Sequence, residues 1–493
     1  MTTSVPQWGL FELSLRGESE GNPFAEVTFS AQFQQGEQRF TVSGFYDGDS
    51  TYRVRFMPPA QGEWQVQTSS SLPALNGVQS AFTCVAPEPH NRGVVRVHNQ
   101  FHFAYDDGSS YSPFGTTCYA WIYQSEAQQD LTIQSLQEAN FNKIRMCVFP
   151  KHYPYNAAEP TIYPYEKNAD GSSDTTRFNP KFFQHFEKRV AELGRLGIEA
   201  DIILWHPYDR WGYSLMDEES DYRYLRYVIT RLSAYHNVWW SLANEYDFML
   251  KDKPMERWDR FFEILMAEDP HQHLRGIHNG DPRMNYDHTR PAVTHACIQN
   301  WDTKRTREWR DAYQKPIIND ELEYEGNIPL TWGNISAQEE VHRFWITVCN
   351  GGYAGHGETY EHPEDLLWWS HGGVLHGESW KRIRFLRSIV DEAPQGGLEP
   401  LPDAGVWHRV SGAQNGDYRL IYLGEHQPKS WWWGLPEGTD YAVDLIDTWN
   451  MTITPGQLRP THRLNATEKY NVPPYEVVLP GKPYLAIRLR PNS

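Results

Sequence analysis

Two glutamates stand directly after apolar runs of the sequence: Glu245 ends the run WWSLANE, and Glu321 ends the run KPIINDE. A short apolar run bounded by polar residues is typical of a buried strand, so each carboxyl group is expected at the end of a strand. Cleavage of a glycosidic bond needs two carboxyl groups across one anomeric carbon. One is protonated and donates to the leaving oxygen, while the other is ionised and attacks the carbon or activates water. The two glutamates therefore predict glycosidic bond cleavage, provided that the fold brings them together.

A parallel barrel is the fold that would bring them together. From about residue 93, strand-like apolar runs alternate with helical patterns, which is the signature of βα repeats. The predicted strands are Pro113–Ala120, Asn142–Phe149, Glu199–His206, Val238–Ala243, Leu274–His278, Val293–Gln299, Pro316–Asp320 and Gly352–His356. The predicted helices are Phe182–Leu196, Tyr222–Tyr235, Met255–Ala267, Lys304–Tyr313, Ala337–Val348 and Trp380–Ile389. Eight βα units predict an α/β fold of the (β/α)8 TIM barrel type, whose sites form at the C-terminal ends of the strands. An open doubly wound sheet is the alternative, disfavoured because no glycine-rich phosphate loop follows the first strand.

The segments on both sides of this barrel have the pattern of β-sheet. The first segment contains short alternating runs such as AEVTFS and YRVRF between turn residues, and the last contains runs such as YRLIYL and YLAIRL. Short strands at this spacing, without a helical period, indicate β-sandwiches. The predicted organisation is an N-terminal β-sandwich over residues 1–92, a catalytic barrel over 93–397 and a C-terminal β-sandwich over 398–493.

Four residues near the ends of predicted strands together resemble one group of enzymes. Asn244 and Glu245 end the fourth strand, Glu321 follows the seventh, and Arg145 lies late in the second. This combination is similar to clan A, the large clan of retaining (β/α)8 glycoside hydrolases. The resemblance implies that Glu245 is the acid/base, Glu321 the nucleophile, Asn244 a contact of the sugar 2-hydroxyl and Arg145 a neighbour of the nucleophile. Retention goes with carboxyl groups about 5–5.5 Å apart and inversion with about 6.5–9.5 Å, which the sequence leaves open.

The modules resemble a narrower group of proteins. The runs GFYDG, RFMP and GEW near the start are similar to the DUF5060 β-sandwich, and PFGTTCYAW at the first barrel strand is similar to DUF4038, or apiosidase-like, barrels. The C-terminal sandwich is similar to the DUF5605 module. The resemblance covers essentially the whole chain and implies its architecture and its catalytic pair, but leaves the substrate open.

The surroundings expected for the two glutamates agree with these roles. An acid/base needs a raised pKa, which apolar neighbours and the charge of its partner favour, and Glu245 follows a WW pair. A nucleophile stays ionised beside a fixed cation, which Arg145 could supply. Glu323 has the same facing parity as Glu321 and is the alternative nucleophile.

Further substrate-binding residues are expected where the other strands end. They are Trp121 after the first strand, His206 after the third, His278 after the fifth, Gln299 or Trp301 after the sixth, and Glu358 after the eighth. The histidines could bind sugar hydroxyls or be structural, and the tryptophans could stack on a sugar ring. Clan A commonly has a Trp after the eighth strand, so Glu358 is a departure. A carboxylate there could hold two hydroxyls, as in exo-acting pockets, or form a salt bridge to a neighbouring loop.

The composition bears on the partners of the chain. The formal net charge is −18, from 45 basic and 63 acidic residues. Phosphate binding needs clustered Lys and Arg, so neither nucleic acid nor an anionic membrane is expected as a partner. Aromatic residues make up 14% of the chain and include 20 Trp, which favours flat surfaces that stack on sugar rings. An oligosaccharide is therefore the expected partner, and a homo-oligomer is left open.

The cysteines, the histidines and the N-terminus bear on location and cofactors. The 5 Cys residues are widely spaced without a CxxC pair, so neither a disulfide framework nor a zinc knuckle is expected. The start MTTSVPQW has no basic region followed by an apolar run, and no apolar stretch is long enough to span a membrane. These features predict a reducing, cytoplasmic location. The histidines fall in no HExxH or similar spacing, so no metal and no cofactor are expected.

Taken together, these features predict a retaining, exo-acting glycoside hydrolase of oligosaccharides. Exo-action depends on the cytoplasmic location, on Glu358 and on long loops such as Tyr153–Arg177 that could wall off a pocket. An endo-acting glycanase of the same clan is the alternative. A metal-dependent sugar enzyme is less favoured because no ligand spacing occurs, and a non-catalytic carbohydrate-binding protein because the glutamate pair is intact. The sugar, the anomer and the linkage are not fixed by the sequence.

Overall fold

A computed structural model describes residues 3–363, 367–402, 410–433, 440–461 and 475–492. Its centre is a near-closed barrel of eight parallel strands, in the order 5-4-3-2-1-8-7-6. These strands are β1 (Phe114–Thr117), β2 (Lys143–Cys147), β3 (Glu199–Trp205), β4 (Val238–Ala243), β5 (Arg275–Gly276), β6 (Ala296–Gln299), β7 (Ile317–Glu321) and β8 (Tyr353–His356). The gap between β5 and β6 is bridged by a hydrogen bond from the Thr294 backbone N–H to the Arg275 carbonyl, at 3.0 Å. The predicted fold class is confirmed.

Seven helices of eight residues or more surround the described part of this barrel. They are α1 (Glu126–Ala139), α2 (Pro180–Arg195), α3 (Glu218–Leu232), α4 (Met255–Glu268), α5 (Thr306–Tyr313), α6 (Ala337–Cys349) and α7 (Ser379–Asp391). The sequence pattern indicated α2 to α7 and missed α1. The buried side of α1 includes Gln129, Thr132 and Ser135, so its apolar period is weak. The Gln129 amide is satisfied there by the carbonyls of Ile122 and Gln124.

The barrel strands are buried except at Gln299 and Glu321, the last residues of β6 and β7. Every residue of β3 and β4 is buried, as expected for parallel strands that are covered by helices. Charged side chains inside the barrel are paired: the Lys143 ammonium lies 2.6 Å from an Asp201 oxygen and 3.0 Å from an Asp320 oxygen. Removing one partner of such a pair costs about 3–5 kcal/mol because a buried charge is left uncompensated. These buried ion pairs therefore stabilise the barrel interior below the C-terminal ends of the strands.

The N-terminal end of the barrel is closed by a small antiparallel sheet. Its strands are Val95–His98, His102–Tyr105 and Ser110–Tyr111. The side chains of Val95, Phe103 and Tyr111 pack against Trp239 and Ile318 at the bottom of the barrel. Since this end is plugged by apolar side chains, the open face is the one at the C-terminal ends of the strands.

β-rich domains flank the barrel on both sides. The N-terminal strands are Thr3–Pro6, Phe11–Arg16, Phe29–Gln35, Gln38–Ser43, Phe45–Tyr46, Thr51–Phe56, Gly62–Ser70 and Gln79–Val85. The C-terminal strands are Glu399–Pro400, Ser411–Asn415, Tyr418–Tyr422, Ser430–Trp433, Tyr441–Asp447, Thr452–Pro455, Leu458–Pro460, Tyr475–Val478 and Leu485–Pro491. The N-terminal domain is tied to the barrel by buried ion pairs, with Glu187 bonded to both Arg55 and Arg231. The exact domain boundaries stay a prediction, and no helix in the described ranges is both long and apolar enough to cross a membrane.

Candidate active site

Glu245 lies in a sharp turn directly beyond β4. Its φ of +57° is in the left-handed region, which costs a non-glycine residue about 1–2 kcal/mol. The turn ends the strand and leads into the 3₁₀ helix Tyr246–Met249. Gly280 makes room for it, because a Cβ at this glycine would lie 3.0 Å from the Cβ of Glu245. A strained residue held by its neighbours in this way is a common feature of functional sites.

The carboxyl group of Glu245 is adapted to hold a proton. Burial raises its pKa to about 7, and the negative charge of Glu321 adds to the rise, while Lys151 and the Tyr208 hydroxyl act in the opposite direction. Its Oε2 atom is buried and has no hydrogen-bond partner in the part of the chain that the structure describes. A carboxyl group with these properties can act as a general acid near neutral pH.

Glu321, the last residue of β7, is held by donors on one of its oxygens. The Tyr119 hydroxyl and the Arg145 guanidinium both donate to Oε1, the latter at 3.0 Å, and the His278 ring nitrogen Nε2 lies 3.7 Å from it. Burial alone would raise the pKa of Glu321, but the charge of Arg145 and the Tyr119 hydroxyl outweigh it, so the pKa lies below the ordinary glutamate value. Burial lowers the pKa of His278 to about 3, so this ring is neutral at pH 7 and Arg145 is the permanent cation. At a pH between the two pKa values, Glu321 is therefore ionised while Glu245 is protonated.

Arg145 also fixes the orientation of Asn244. The guanidinium donates to the Asn244 Oδ1 at 3.2 Å, and the Tyr119 hydroxyl oxygen lies 2.9 Å from the same oxygen. An arginine can only donate hydrogen bonds, so the oxygen of the amide must face it. The Asn244 NH₂ group is then turned away from Arg145. Asn244 lines the cavity that is described next. The NH₂ group of Asn244 can donate a hydrogen bond to a ligand in that cavity.

Glu245 and Glu321 line one cavity of about 520 Å³ at the C-terminal end of the barrel. This volume is within the usual range of small-molecule sites, about 300–1,000 Å³. Aromatic side chains form most of its walls: Tyr119, Tyr153, Tyr155, Tyr208, Phe248, Trp301, Tyr324, Trp332 and Trp369. Such walls offer flat apolar faces on which sugar rings can stack. The described residues contain no group of three or more His, Cys, Asp or Glu placed to hold a metal ion.

The predicted site residues fall into those at this cavity and those away from it. Asn244, Gln299 and Trp301 line it, and the Trp301 side chain is 55% exposed at the rim. Arg145 and His278 lie directly beneath Glu321. Glu323 also lines the cavity, but its carboxylate pairs with Arg343 at 2.8 Å, whereas the donors at Arg145 and Tyr119 converge on Glu321.

Three other predicted residues are not among those that line the cavity. Trp121 is fully buried with its indole N–H toward the Met146 sulfur, so the expectation that it stacks on a sugar is corrected. Glu358 is 1% exposed and accepts a hydrogen bond from the backbone N–H of His376, which corrects its expected contact with substrate. His206 is buried with its Nε2 3.1 Å from the Phe149 carbonyl, so its role is structural. In each case the backbone turns after the strand and carries the side chain into the protein.

Most residues of the cavity were missed by the sequence analysis, and Tyr119, Lys151, Tyr208 and Trp369 are four of them. Tyr119 follows β1, Lys151 and Tyr208 lie in the loops after β2 and β3, and Trp369 lies in a short helix well beyond β8. Trp369 is the tryptophan that lines the cavity from the segment after the eighth strand. The run LLWWSH was the signal that could have found it.

The comparisons with known proteins agree with this geometry. Residues 98–386 match the family model of the apiosidase-like catalytic domain. The chain belongs to the apiosidase-like family. Two domains of unknown function match the flanks of this apiosidase-like barrel, DUF5060 over residues 4–71 and DUF5605 over residues 407–490.

Solved structures place this apiosidase-like protein among glycoside hydrolases. A candidate glycoside hydrolase of Bacteroides vulgatus ATCC 8482 is 39% identical, with a TM-score of 0.90 and 100% of both chains covered. A glycoside hydrolase family 5 protein of the same organism shares the fold, with 13% identity, a TM-score of 0.62, and 81% of this chain and 94% of that chain covered. The comparison with curated proteins gives no match. By family and fold, the chain is an enzyme of the glycoside hydrolase class.

The Tyr119 hydroxyl provides a first test of the apiosidase-like site. Tyr119→Phe removes the single hydroxyl donor that lies between Glu321 and Asn244 but keeps the ring. A hydrogen bond to a charged group contributes about 1.5–3 kcal/mol, so we expect kcat/KM to fall roughly 10- to 100-fold. The pKa of Glu321 should rise as well, because its charged form loses a donor. Steady-state kinetics over a pH series measures both effects, and an acid limb that does not move toward higher pH would contradict the assignment.

Proposed function

We propose that this apiosidase-like enzyme is a retaining glycoside hydrolase that acts by double displacement, with Glu321 as nucleophile and Glu245 as acid/base. The observation that carries the proposal is the opposite displacement of two pKa values in one cavity, with Glu245 raised to about 7 and Glu321 lowered. Pairs of titratable groups whose surroundings move their pKa values apart mark an acid and a base.

In the first step, Glu321 attacks the anomeric carbon while Glu245 gives its proton to the glycosidic oxygen. The known contacts of Glu321 with Tyr119, Arg145 and His278 fall on Oε1, so we assign the attack to Oε2. The bond between the anomeric carbon and the leaving oxygen breaks, and a glycosyl ester on Glu321 forms. The leaving sugar departs as a neutral alcohol.

In the second step, Glu245 accepts a proton from water. The water oxygen attacks the anomeric carbon, the ester bond to Glu321 breaks, and the enzyme returns to its starting protonation state. Two displacements at the same carbon give a product with the configuration of the substrate. The pKa of Glu245 depends partly on the charge of Glu321, so it falls when that charge is lost in the ester, which suits the change from acid to base.

We further propose that the enzyme acts on chain ends. Tyr153, Pro154 and Tyr155, from the long loop after β2, form one wall of the cavity and favour a pocket over an open cleft. Glu358 lies away from the cavity and does not bear on exo-action. A cytoplasmic location would agree with exo-action and stays a prediction.

The activity should have a bell-shaped pH dependence. Glu245 must be protonated, so kcat/KM should fall as pH rises through its pKa of about 7. Glu321 must be ionised, so kcat/KM should fall as pH drops through a pKa below the ordinary value of 4.5. The optimum should therefore lie at about pH 5–6, between the two values. Initial rates at low substrate concentration over pH 3–9 measure this profile, and an optimum above pH 8 would contradict the protonated role of Glu245.

Product analysis tests the proposed function. Aryl glycosides of common pentoses and hexoses, neutral and acidic and in both anomers, are screened for hydrolysis. The anomer that is released first is then identified by NMR before mutarotation. Retention and single sugars released from chain ends are the expected results. An inverted product would exclude double displacement, and early mid-chain fragments from a polysaccharide would exclude exo-action.

A further inference from the structure

Lys151 places an ammonium group inside the cavity, in a cage of aromatic rings. The residue follows β2, is 2% exposed and lines the cavity beside both glutamates. Its Nζ lies 3.4 Å from the centre of the Tyr119 ring, 4.4 Å from that of Tyr208, 5.1 Å from that of Tyr153 and 5.5 Å from that of Trp369. Cations are attracted to the faces of such rings, so the cage holds the ammonium in place.

The partners of Lys151 differ from those of the two other deeply buried lysines. The Lys143 Nζ lies 2.6 Å from an Asp201 oxygen, and the Lys253 Nζ lies 2.6 Å from an Asp221 oxygen. For the Lys151 ammonium, no hydrogen bond and no ion pair within 4 Å to a protein group is found in the described ranges. Buried charges in proteins are usually paired, because an ammonium that leaves water loses its hydration. Aromatic faces offset only part of that loss. The ammonium of Lys151 is thus prepared for an anion that the protein itself does not supply.

The charges around the cavity lead to the same conclusion. The charged residues that line it are Lys151, Glu245, Glu321 and Glu323. Glu321 is balanced by Arg145 from below and Glu323 by Arg343, while Glu245 carries a proton in the resting state. One positive charge remains, that of Lys151. A cavity with this local balance favours an anionic ligand.

We propose that Lys151 binds the carboxylate of a uronic acid, so that the substrates are oligosaccharides with a uronic acid in the sugar held beside Glu321. The inference rests on the proposed function for the place of that sugar. Both Lys151 and Glu321 contact Tyr119, Lys151 through its ring and Glu321 through its hydroxyl, so the ammonium lies next to the nucleophile. Burial lowers the pKa of Lys151, and an anion bound there would raise it again.

A binding experiment tests this without any turnover. Disaccharides of glucuronic and galacturonic acid, and their neutral hexose counterparts, are titrated into the full-length protein by calorimetry. Wild type should bind an acidic disaccharide at least tenfold more tightly than its neutral counterpart, and added NaCl should weaken that binding. Lys151→Met keeps the length of the side chain without the charge and should remove the preference. Lys188→Met, at a half-exposed position on α2, is the matched control and should keep it.

The possible outcomes separate this inference from the proposed function. Acidic disaccharides that bind through Lys151 without being hydrolysed would support the inference and reject the function. Hydrolysis of neutral substrates with no binding of uronic acids would reject the inference alone. Equal affinity for both kinds of disaccharide, a preference unchanged in Lys151→Met, or preference for a sulfated sugar over the uronic acids would also overturn it. Thermal unfolding of both variants shows whether a loss reflects the ligand site or the fold.

Discussion

Glu321→Gln is expected to lower kcat/KM by about 10⁴-fold or more, because an amide cannot form the glycosyl ester through which the reaction passes. The change keeps the shape of the side chain and removes a charge that Arg145 and Tyr119 are placed to stabilise. The loss should therefore appear in kcat for every substrate, whatever its leaving group. Steady-state kinetics on the best substrate from the screen measures it.

Glu323→Gln is the matched control for this variant. Glu323 lines the same cavity two residues further along the chain, but its carboxylate pairs with Arg343. We expect less than about a tenfold effect on kcat, because a partly exposed ion pair contributes only about 0–1 kcal/mol. If Glu323→Gln were inactive and Glu321→Gln active, the two assignments would have to be exchanged.

Glu245→Gln is expected to show a loss that depends on the leaving group. General acid catalysis contributes about 10²- to 10⁴-fold, and a substrate that needs protonation of its leaving oxygen should lose all of it. A dinitrophenyl glycoside needs no such help, so its first step should stay fast and the glycosyl ester should accumulate. Added azide should then restore turnover, because it attacks the ester without a general base.

The pH profile of Glu245→Gln is a second test of the assignment of Glu245 as the general acid. The fall in kcat/KM above about pH 7 is assigned to the raised pKa of Glu245, so it should disappear in the variant. The acid limb, which belongs to Glu321, should remain. An alkaline limb that persists unchanged would show that another group controls it, and would remove Glu245 from the role of acid.

The sequence predicted that Glu245 and Glu321 lie at one cavity because two levels of argument agreed there. The apolar runs before Glu245 and Glu321 are typical of strands, and the eight repeats indicated a barrel whose sites form where strands end. Arg145 and Asn244 followed from the same reasoning. Arg145 donates hydrogen bonds to both Asn244 and Glu321, which gives a physical reason for the positions that the resemblance supplied.

Residues beyond the strand ends were less predictable, because side-chain direction there depends on the turn. Trp121 and Glu358 were expected in the cavity, yet the chain directs both into the protein. Lys151 and Tyr208 reach the cavity from loops and Trp369 from a helix of one turn, and none of these segments has a sequence period. The rings around Lys151 come from four separate places in the chain, so no local sequence pattern predicts that they surround this lysine.

The strain at Glu245 shows how the rest of the fold serves the site. Its left-handed turn is enclosed by Gly280, and the Asp247 carboxylate accepts hydrogen bonds from the backbone N–H groups of Gly280 and Asp281. The loop after β5 is thereby fixed against the turn that follows β4. Since the two loops are joined in this way, the acid keeps its position without relying on a regular helix or strand.

Trapping the glycosyl-enzyme tests directly whether Glu321 is the nucleophile of a double displacement. The enzyme is treated with an activated 2-deoxy-2-fluoro glycoside of the sugar that the screen identifies, digested, and analysed by mass spectrometry. We expect one glycosyl group per chain, attached to Glu321 and found on the peptide that contains this residue. A label on Glu323 instead, or turnover with an inverted product and no label, would contradict it.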